Sequence, residues 1–186
     1  TLINARHAHS RYMAENAKQK ELICQLQELL KMEDEIERIE IYDNSHIQGA
    51  FQVGAMVVAT PEGFDKKSYR TYNIKGEDIN GDDFAMMREV FTRRFAKAKE
   101  GEKGRWPDLV LIDGGKGQMS SARQAFEALG IEDKVNYVGI AKGIDRNAGR
   151  EVFHMPNGDE FTLDQKSPLI YFLQRLRDEA HRFAIG

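Results

Sequence analysis

Two aspartates in this sequence occupy equivalent places, each directly after a short apolar stretch. Asp43 follows IEIY and Asp113 follows LVLI. A single aspartate at such a place is most simply a turn residue. Two of them at the ends of strands that lie side by side are different, because partly buried carboxylates are costly unless they meet a cation or several donors. The pair therefore predicts a site for a hard divalent cation, which carboxylate oxygens bind.

His181 is a third candidate, and it lies near the end of the sequence in RLRDEAHRF. A lone histidine on a helix is usually a surface residue or a satisfied core residue. Its basic neighbours favour a position that faces solvent or an anion, where an imidazole can bind a metal or exchange a proton near pH 7. The residues alone still favour the surface interpretation over a catalytic one.

The segment DGGKGQ, which begins at Asp113, contains glycines of the kind found in phosphate-binding loops. Such glycines allow a nucleic-acid phosphate to approach the backbone, and Lys116 would add a positive charge. The segment does not have the GxxxxGK[ST] pattern, since no hydroxyl residue follows Lys116. A nucleotide triphosphatase is therefore not expected.

Two groups of basic residues are candidates for contact with DNA. The first is interpreted as a solvated helix face, and it consists of Arg93, Arg94, Lys97 and Lys99. The second lies in a polar loop after an apolar stretch, where the binding residues of mixed sheets often gather. We prefer this second group as the contact with the DNA backbone. It consists of Lys142, Arg146 and Arg150.

The elements that must position these residues follow from the hydrophobic pattern. Apolar residues at helical spacing predict a long amphipathic helix from about Ala5 to Met32, which either connects domains or packs on its own domain; the second is favoured. Three antiparallel strands are predicted next, and they are followed by alternating helices and strands. The predicted segments are strands at 38–45, 51–60 and 68–75, a helix at 83–100, a strand at 109–112, a helix at 118–130, a strand at 135–142 and a hairpin at 151–163. This order indicates a mixed sheet with helices on both faces.

Three local signals define turns and helix ends. Gly130 is expected to end the helix before it, and Ser167 with Pro168 is expected to begin the last helix. The pair Asn157 and Gly158 predicts a primed turn in the hairpin.

Composition limits the function classes. With 186 residues, of which 41% are hydrophobic, the chain has room for one domain with a proper core. The 27 basic and 30 acidic residues give a net charge of -3, so any contact with nucleic acid must depend on local patches. Cys24 is the single cysteine, which excludes an intramolecular disulfide and a cysteine-rich zinc site. The sequence contains no apolar stretch typical of a membrane span or a signal peptide, so a soluble, cytoplasmic protein is expected, and the absence of an initial methionine suggests an excised fragment.

Four stretches together resemble the C-terminal endonuclease domain of the UvrABC system protein C family. They are IEIYDNSHIQG, NGDDFAMMREVFTRRF, PDLVLIDGGKGQ and RDEAHRFAIG, and they occur in the family's order. The resemblance extends from the first helix to the end of the sequence. It implies an α/β domain with a ribonuclease H-like mixed sheet, in which residues 38–186 form the endonuclease domain and residues 1–37 an N-terminal connecting helix.

The resemblance also implies a function and a set of site residues. The function is metal-dependent 5' incision of damaged duplex DNA during bacterial nucleotide excision repair, with Mg2+ or Mn2+ as the cofactor and with UvrA and UvrB as partners of the full-length protein. The implied catalytic residues are Asp43, Asp83, Asp113 and His181, of which Asp43, Asp113 and His181 would bind metal. From the residues alone, Asp83 is a first-turn residue that suits the helix dipole. Two rival functions remain open, a non-catalytic nucleic-acid-binding module of the same fold and a different metal-dependent phosphotransferase.

Overall fold

The chain is organised around one mixed sheet, seen in a computed structural model that describes residues 18–47, 51–74, 83–99, 106–142 and 151–185. Within these ranges there are eight strands. They are β1 (Ile39–Ile47), β2 (Phe51–Thr60), β3 (Gly63–Phe64), β4 (Arg70–Ile74), β5 (Leu109–Asp113), β6 (Tyr137–Lys142), β7 (Glu151–His154) and β8 (Glu160–Thr162). The helices are α1, described over 18–29, α2 (Asp83–Lys99), α3 (Lys116–Ala128) and α4 (Pro168–Ile185).

The strand order is β3-β2-β1-β5-β6-β7-β8, and β4 also pairs with β2. The first strands pair antiparallel, β1 with β2 and β2 with β3 and β4. The central strands β1, β5 and β6 are parallel, and β7 and β8 return antiparallel at the other edge. The predicted mixed sheet, which begins as an antiparallel meander and continues with parallel strands, is confirmed.

The two faces of the sheet are covered by different helices. Successive side chains of β1 point to opposite faces, so Tyr42 packs on one side against Phe91 of α2, with ring centroids 4.7 Å apart. Phe91 in turn contacts Phe126 of α3 at 5.1 Å. On the other face lies α4, which buries Leu173, Leu176 and Ala180 among others. Helices on both faces were predicted, and the structure has them.

A buried ionic group joins β1 to α2. The carboxylate of Glu40 is fully buried, and it accepts hydrogen bonds from Arg94 Nη2 at 2.8 Å, from Arg38 Nε at 3.0 Å and from the Tyr42 hydroxyl at 2.6 Å. Arg94 is therefore not on a solvated helix face, and that interpretation of Arg94 is wrong. Together with Arg38, Arg94 compensates the charge of Glu40, which would be strongly destabilising in the protein interior without a cation.

The ends of two helices agree with their local signals. Gly130 has φ of +73°, and the amides of Ile131 and Gly130 donate to the carbonyls of Phe126 and Glu127, at 2.9 and 3.0 Å, in a Schellman motif. At the start of α4, the Ser167 hydroxyl accepts a hydrogen bond from the amide of Leu169 at 3.3 Å.

No helix in the described ranges is long and apolar enough to cross a membrane. A cytoplasmic location stays a prediction.

The hairpin of β7 and β8 turns differently from the prediction. His154 pairs with Glu160, and the Met155 amide donates to the Asp159 carbonyl at 2.9 Å, so the loop has three residues. Gly158 has φ of +95°, whereas Asn157 does not have a positive φ. A two-residue primed turn of the Asn-Gly type needs positive φ at both residues, so that prediction is wrong. In a three-residue loop of Pro156, Asn157 and Gly158, glycine is the residue with positive φ. This loop therefore accommodates Pro156, whose ring restricts φ to negative values.

The N-terminal helix α1 packs on the same core as the sheet. Leu22, Ile23 and Leu26 are buried members of that core. Gln19 donates to the Thr60 carbonyl at 2.6 Å. The first 17 residues lie outside the described part of the chain, and the division into a connecting helix at 1–37 and a domain at 38–186 stays a prediction.

Candidate active site

Asp43 and Asp113 lie side by side on the face of the sheet that α4 covers. In the parallel pairing of β1 with β5, Ile41 is opposite Leu111 and Tyr42 is opposite Ile112. The next position on each strand is the aspartate, and neighbouring strands are about 4.8 Å apart. Since side chains alternate, each aspartate shares its face with the buried residue two positions earlier. The fold thus brings two carboxylates that are 70 positions apart in sequence (113 minus 43) to adjacent positions.

His181 of α4 contacts Asp43. Its Nδ1 is 3.2 Å from Oδ2 of Asp43, and the imidazole is 61% exposed whereas the carboxylate is only 7% exposed. With Nδ1 donating to the carboxylate, Nε2 is the ring nitrogen left to exchange a proton or to bind a ligand. The exposed position of the ring agrees with the solvent-facing placement expected from its basic neighbours.

Arg177, one helical turn before His181, bridges two carboxylates. Its Nε and Nη2 donate to Oδ1 of Asp113 at 3.2 and 2.8 Å, and its Nη1 donates to Oε2 of Glu151. Burial lowers the pKa of Arg177, but the charges of Asp113 and Glu151 and their hydrogen bonds outweigh burial, so the pKa lies above its ordinary value. Arg177 therefore stays charged and compensates the negative charge of the site.

Glu151 reaches this face because of the pairing between β6 and β7. Asp113 is opposite Ile140, Ile140 is opposite Phe153, and Lys142 is opposite Glu151. Alternation puts Asp113, Lys142 and Glu151 on one face of the sheet. The cleft between this face and α4 has a volume of about 360 Å³. It is lined by Asp113, Lys142 and Glu151 from the strands and by Gln174, Arg177, Asp178 and His181 from α4.

The donor chemistry of the cleft fits a hard divalent cation. Asp43 and Asp113 offer carboxylate oxygens from adjacent strands, and Glu151 adds a third carboxylate on the same face. Among the described residues, however, no three side chains of His, Cys, Asp or Glu are grouped as a complete set of metal ligands. The positive charge near Asp113 comes instead from Arg177.

The other predicted site residues have different positions. Lys116 begins α3, is 80% exposed and pairs through Nζ with Oε1 of Glu160 at 3.1 Å. Gly115, at the N-cap of α3, has no side chain that could cap the helix. Asp83 begins α2, but its side chain lies outside the described part of the structure, and so do Arg146 and Arg150. The structure thus brings together Asp43, Asp113, His181 and Lys142.

Two residues of the cleft were not predicted as site residues, Arg177 and Glu151. A signal for Arg177 was present, since it lies four residues before His181 and residues at this spacing share one helix face. A signal for Glu151 was weaker. Only the register of β7 against β6 shows that it shares a face with Asp113.

Comparison with known proteins identifies the family. The chain matches the family described as the UvrC RNase H endonuclease domain over residues 27–185. It belongs to that family. The UvrABC system protein C of Sphingopyxis alaskensis is 57% identical over 188 residues, which cover 98% of this chain and 29% of that protein. The protein of the same name from Paramagnetospirillum magneticum is 56% identical over 188 residues, which cover 98% of this chain and 30% of that protein.

Membership of the UvrC RNase H endonuclease domain family confirms the predicted resemblance, the ribonuclease H-like fold class and the enzyme class of endonuclease. The chain spans about 30% of the length of the curated relatives that it matches. Among solved structures, the Endonuclease V of Bacillus subtilis is 14% identical and covers 79% of each chain, with a TM-score of 0.42.

Proposed function

We propose that this chain is the metal-dependent nuclease domain that makes the 5' incision at damaged duplex DNA in bacterial nucleotide excision repair. The observation that carries the proposal is the pair Asp43 and Asp113, adjacent on parallel strands, with His181 of α4 against Asp43. Family membership supports the endonuclease class. The geometry supports the assignment of Asp43 and Asp113 as metal ligands and of His181 as a third ligand or a proton carrier.

The residues of the cleft have different roles in phosphodiester hydrolysis. A divalent cation, Mg2+ or Mn2+, would be held by Asp43 and Asp113, and it would lower the pKa of water and neutralise charge on the scissile phosphate. Asp43 orients the imidazole of His181 through Nδ1, so that Nε2 faces away from the carboxylate. In this orientation Nε2 is the ring nitrogen that would exchange a proton during hydrolysis. Asp83, the second aspartate of the stretch NGDDFAMMREVFTRRF, begins α2, and its role in the site is proposed from the family resemblance.

Contacts with DNA are assigned to the rim of the same cleft. Lys142 lines the cleft and Lys116 is exposed at the start of α3, so both can reach phosphates of a bound strand. Arg146 and Arg150 lie between β6 and β7 in sequence, outside the described residues, and they are proposed to extend this contact. In the full-length protein, UvrA and UvrB are the proposed partners, and they would supply damage recognition.

The first experiment measures nicking of supercoiled plasmid in Mn2+ by this chain and by its Asp43→Asn variant. We expect the parent to nick and the variant to lose at least a hundredfold in rate, because one of two adjacent carboxylates no longer carries charge. Asp133→Asn is a matched control, since Asp133 is exposed in the turn after α3. Thermal unfolding checks that each variant is folded.

The result separates the proposed function from its rivals. Equal nicking by the parent and by Asp43→Asn would contradict the role of Asp43. A non-catalytic module would bind DNA without any divalent cation and would never nick it, and a phosphotransferase would act on small phosphate esters.

The position of the cut is tested with the full-length protein, UvrA, UvrB and an end-labelled duplex with one lesion. The same aspartate substitution is expected to abolish the 5' cut.

A further inference from the structure

Arg177 occupies the position between carboxylates where a bound cation would be expected. Two of its nitrogens donate to the same oxygen, Oδ1 of Asp113, at 3.2 and 2.8 Å. The third donates to Oε2 of Glu151. The Arg177 side chain is only 16% exposed, so these charges are partly withdrawn from water and their interaction is stronger than at the surface.

We propose that Arg177 is a displaceable counter-ion of the metal site, a positioning residue that holds Asp113 until a divalent cation replaces it. The inference rests on the proposed metal-dependent function. Glu151 is assigned as the residue that stays paired with Arg177 when Asp113 binds the cation. Neither residue was predicted from sequence as part of the site.

Arg177 and a cation bound to Asp113 would compete for the same carboxylate oxygen. A cation that binds Asp113 through Oδ1 must compete with both hydrogen bonds from Arg177, because one carboxylate oxygen cannot hold two cations at close range without strong repulsion. Arg177 can give up Asp113 without being left as an unpaired buried charge, since Nη1 keeps its bond to Glu151. In the absence of metal, the same bridge keeps two clustered carboxylates from repelling each other. The arrangement therefore stabilises the metal-free protein and lowers its affinity for the metal.

The test is calorimetric titration of Mn2+ into this chain without DNA, for the parent and for Arg177→Gln. We expect the variant to bind Mn2+ about tenfold more tightly, because an opposing unit charge has left the site. Arg177→Lys keeps the charge and should bind within about threefold of the parent. Arg175→Gln is the matched control, because Arg175 lies on the same helix but bonds to Gln19 of α1, and it should bind as the parent does.

Thermal unfolding gives a second readout. Without metal, Arg177→Gln should unfold at a lower temperature than the parent. Saturating Mn2+ should raise the melting temperature of Arg177→Gln by more than it raises that of the parent. If Arg177→Gln bound Mn2+ more weakly than the parent, or equally well, the counter-ion role would be overturned.

Glu151→Gln provides an independent variant in case Arg177→Gln does not fold. It should bind Mn2+ about tenfold more weakly, because Arg177 then has Asp113 as its one charged partner in the bridge and the cleft has one negative charge fewer. Unchanged affinity in Glu151→Gln would also overturn the proposal. If the parent itself binds no Mn2+, the proposed metal-dependent function fails too, whereas parent binding that these substitutions leave unaltered overturns the counter-ion role alone.

Discussion

Replacing Arg94 by methionine should destabilise this protein far more than the same change at the neighbouring Arg93. Arg94 is 6% exposed, and its Nη2 donates at 2.8 Å to Glu40, whose side chain is fully buried. Methionine keeps much of the aliphatic volume but removes the cation. Glu40 is then left with Arg38 and the Tyr42 hydroxyl as its hydrogen-bond partners in this group.

The size of the effect follows from burial. Removing one partner of a buried ion pair costs about 3–5 kcal/mol when the remaining charge is left uncompensated, and the lower end of this range applies here because Arg38 stays paired with Glu40. The guanidinium of Arg94 also lies over the ring of Phe95, 5.4 Å from its centroid, and this contact is lost as well. For a chain of this length, each kcal/mol lowers the melting temperature by roughly 2–4 °C. We therefore expect a fall of about 10 °C.

Urea denaturation followed by circular dichroism measures the free energy of unfolding of both variants. Arg93 pairs with Glu89 at 2.8 Å, but both side chains are 40% exposed, and it donates one further hydrogen bond to the Asn73 carbonyl. Arg93→Met should therefore cost about 1 kcal/mol or less. If Arg94→Met cost no more than Arg93→Met, the argument from the buried charge of Glu40 would be refuted.

Three further predictions concern the strands and loops around the site. Gly139→Ala should cost about 1–3 kcal/mol in urea denaturation, because its Cβ would lie 2.8 Å from the Gly114 carbonyl oxygen and 2.9 Å from Met119 Cγ, whereas Gly115→Ala meets nothing closer than 3.6 Å and should cost less. Lys116→Gln should weaken DNA binding at every sequence and reduce the slope of log affinity against log salt by about one, as measured by fluorescence anisotropy; an unchanged slope would exclude a phosphate contact. The pKa of Glu160 is lowered, mainly because Lys116 donates a hydrogen bond to it. The folded state thus favours the carboxylate, so its contribution to stability is present above the ordinary pKa of 4.5 and is lost as the pH falls through the lowered value. Melting temperatures of Glu160→Gln should therefore fall less steeply below about pH 4.5 than those of the parent.

Local features of the fold could be predicted because their causes lie within a few residues. Ser167 and Pro168 predict the start of α4, and Gly130 predicts the end of α3, since capping and positive φ depend on the residues themselves. The alternation in IEIYDNS likewise predicts β1. The Asn157 and Gly158 pair shows the limit of such signals, because the register of β7 against β8 demanded a loop of three residues.

By itself, the sequence predicted most of the elements and the adjacent places of Asp43 and Asp113, and its motif order indicated the family and, through it, His181, because periodicity and motif order are properties of the chain. Tertiary structure alone decided which charges meet. It brought Glu151 and Arg177 to Asp113, and it buried Arg94 against Glu40. The physical reason is that the partner of a charge depends on strand register and helix packing across long separations in sequence. A pattern within one segment predicts the direction of a side chain, but the neighbours that it meets are contributed by other segments.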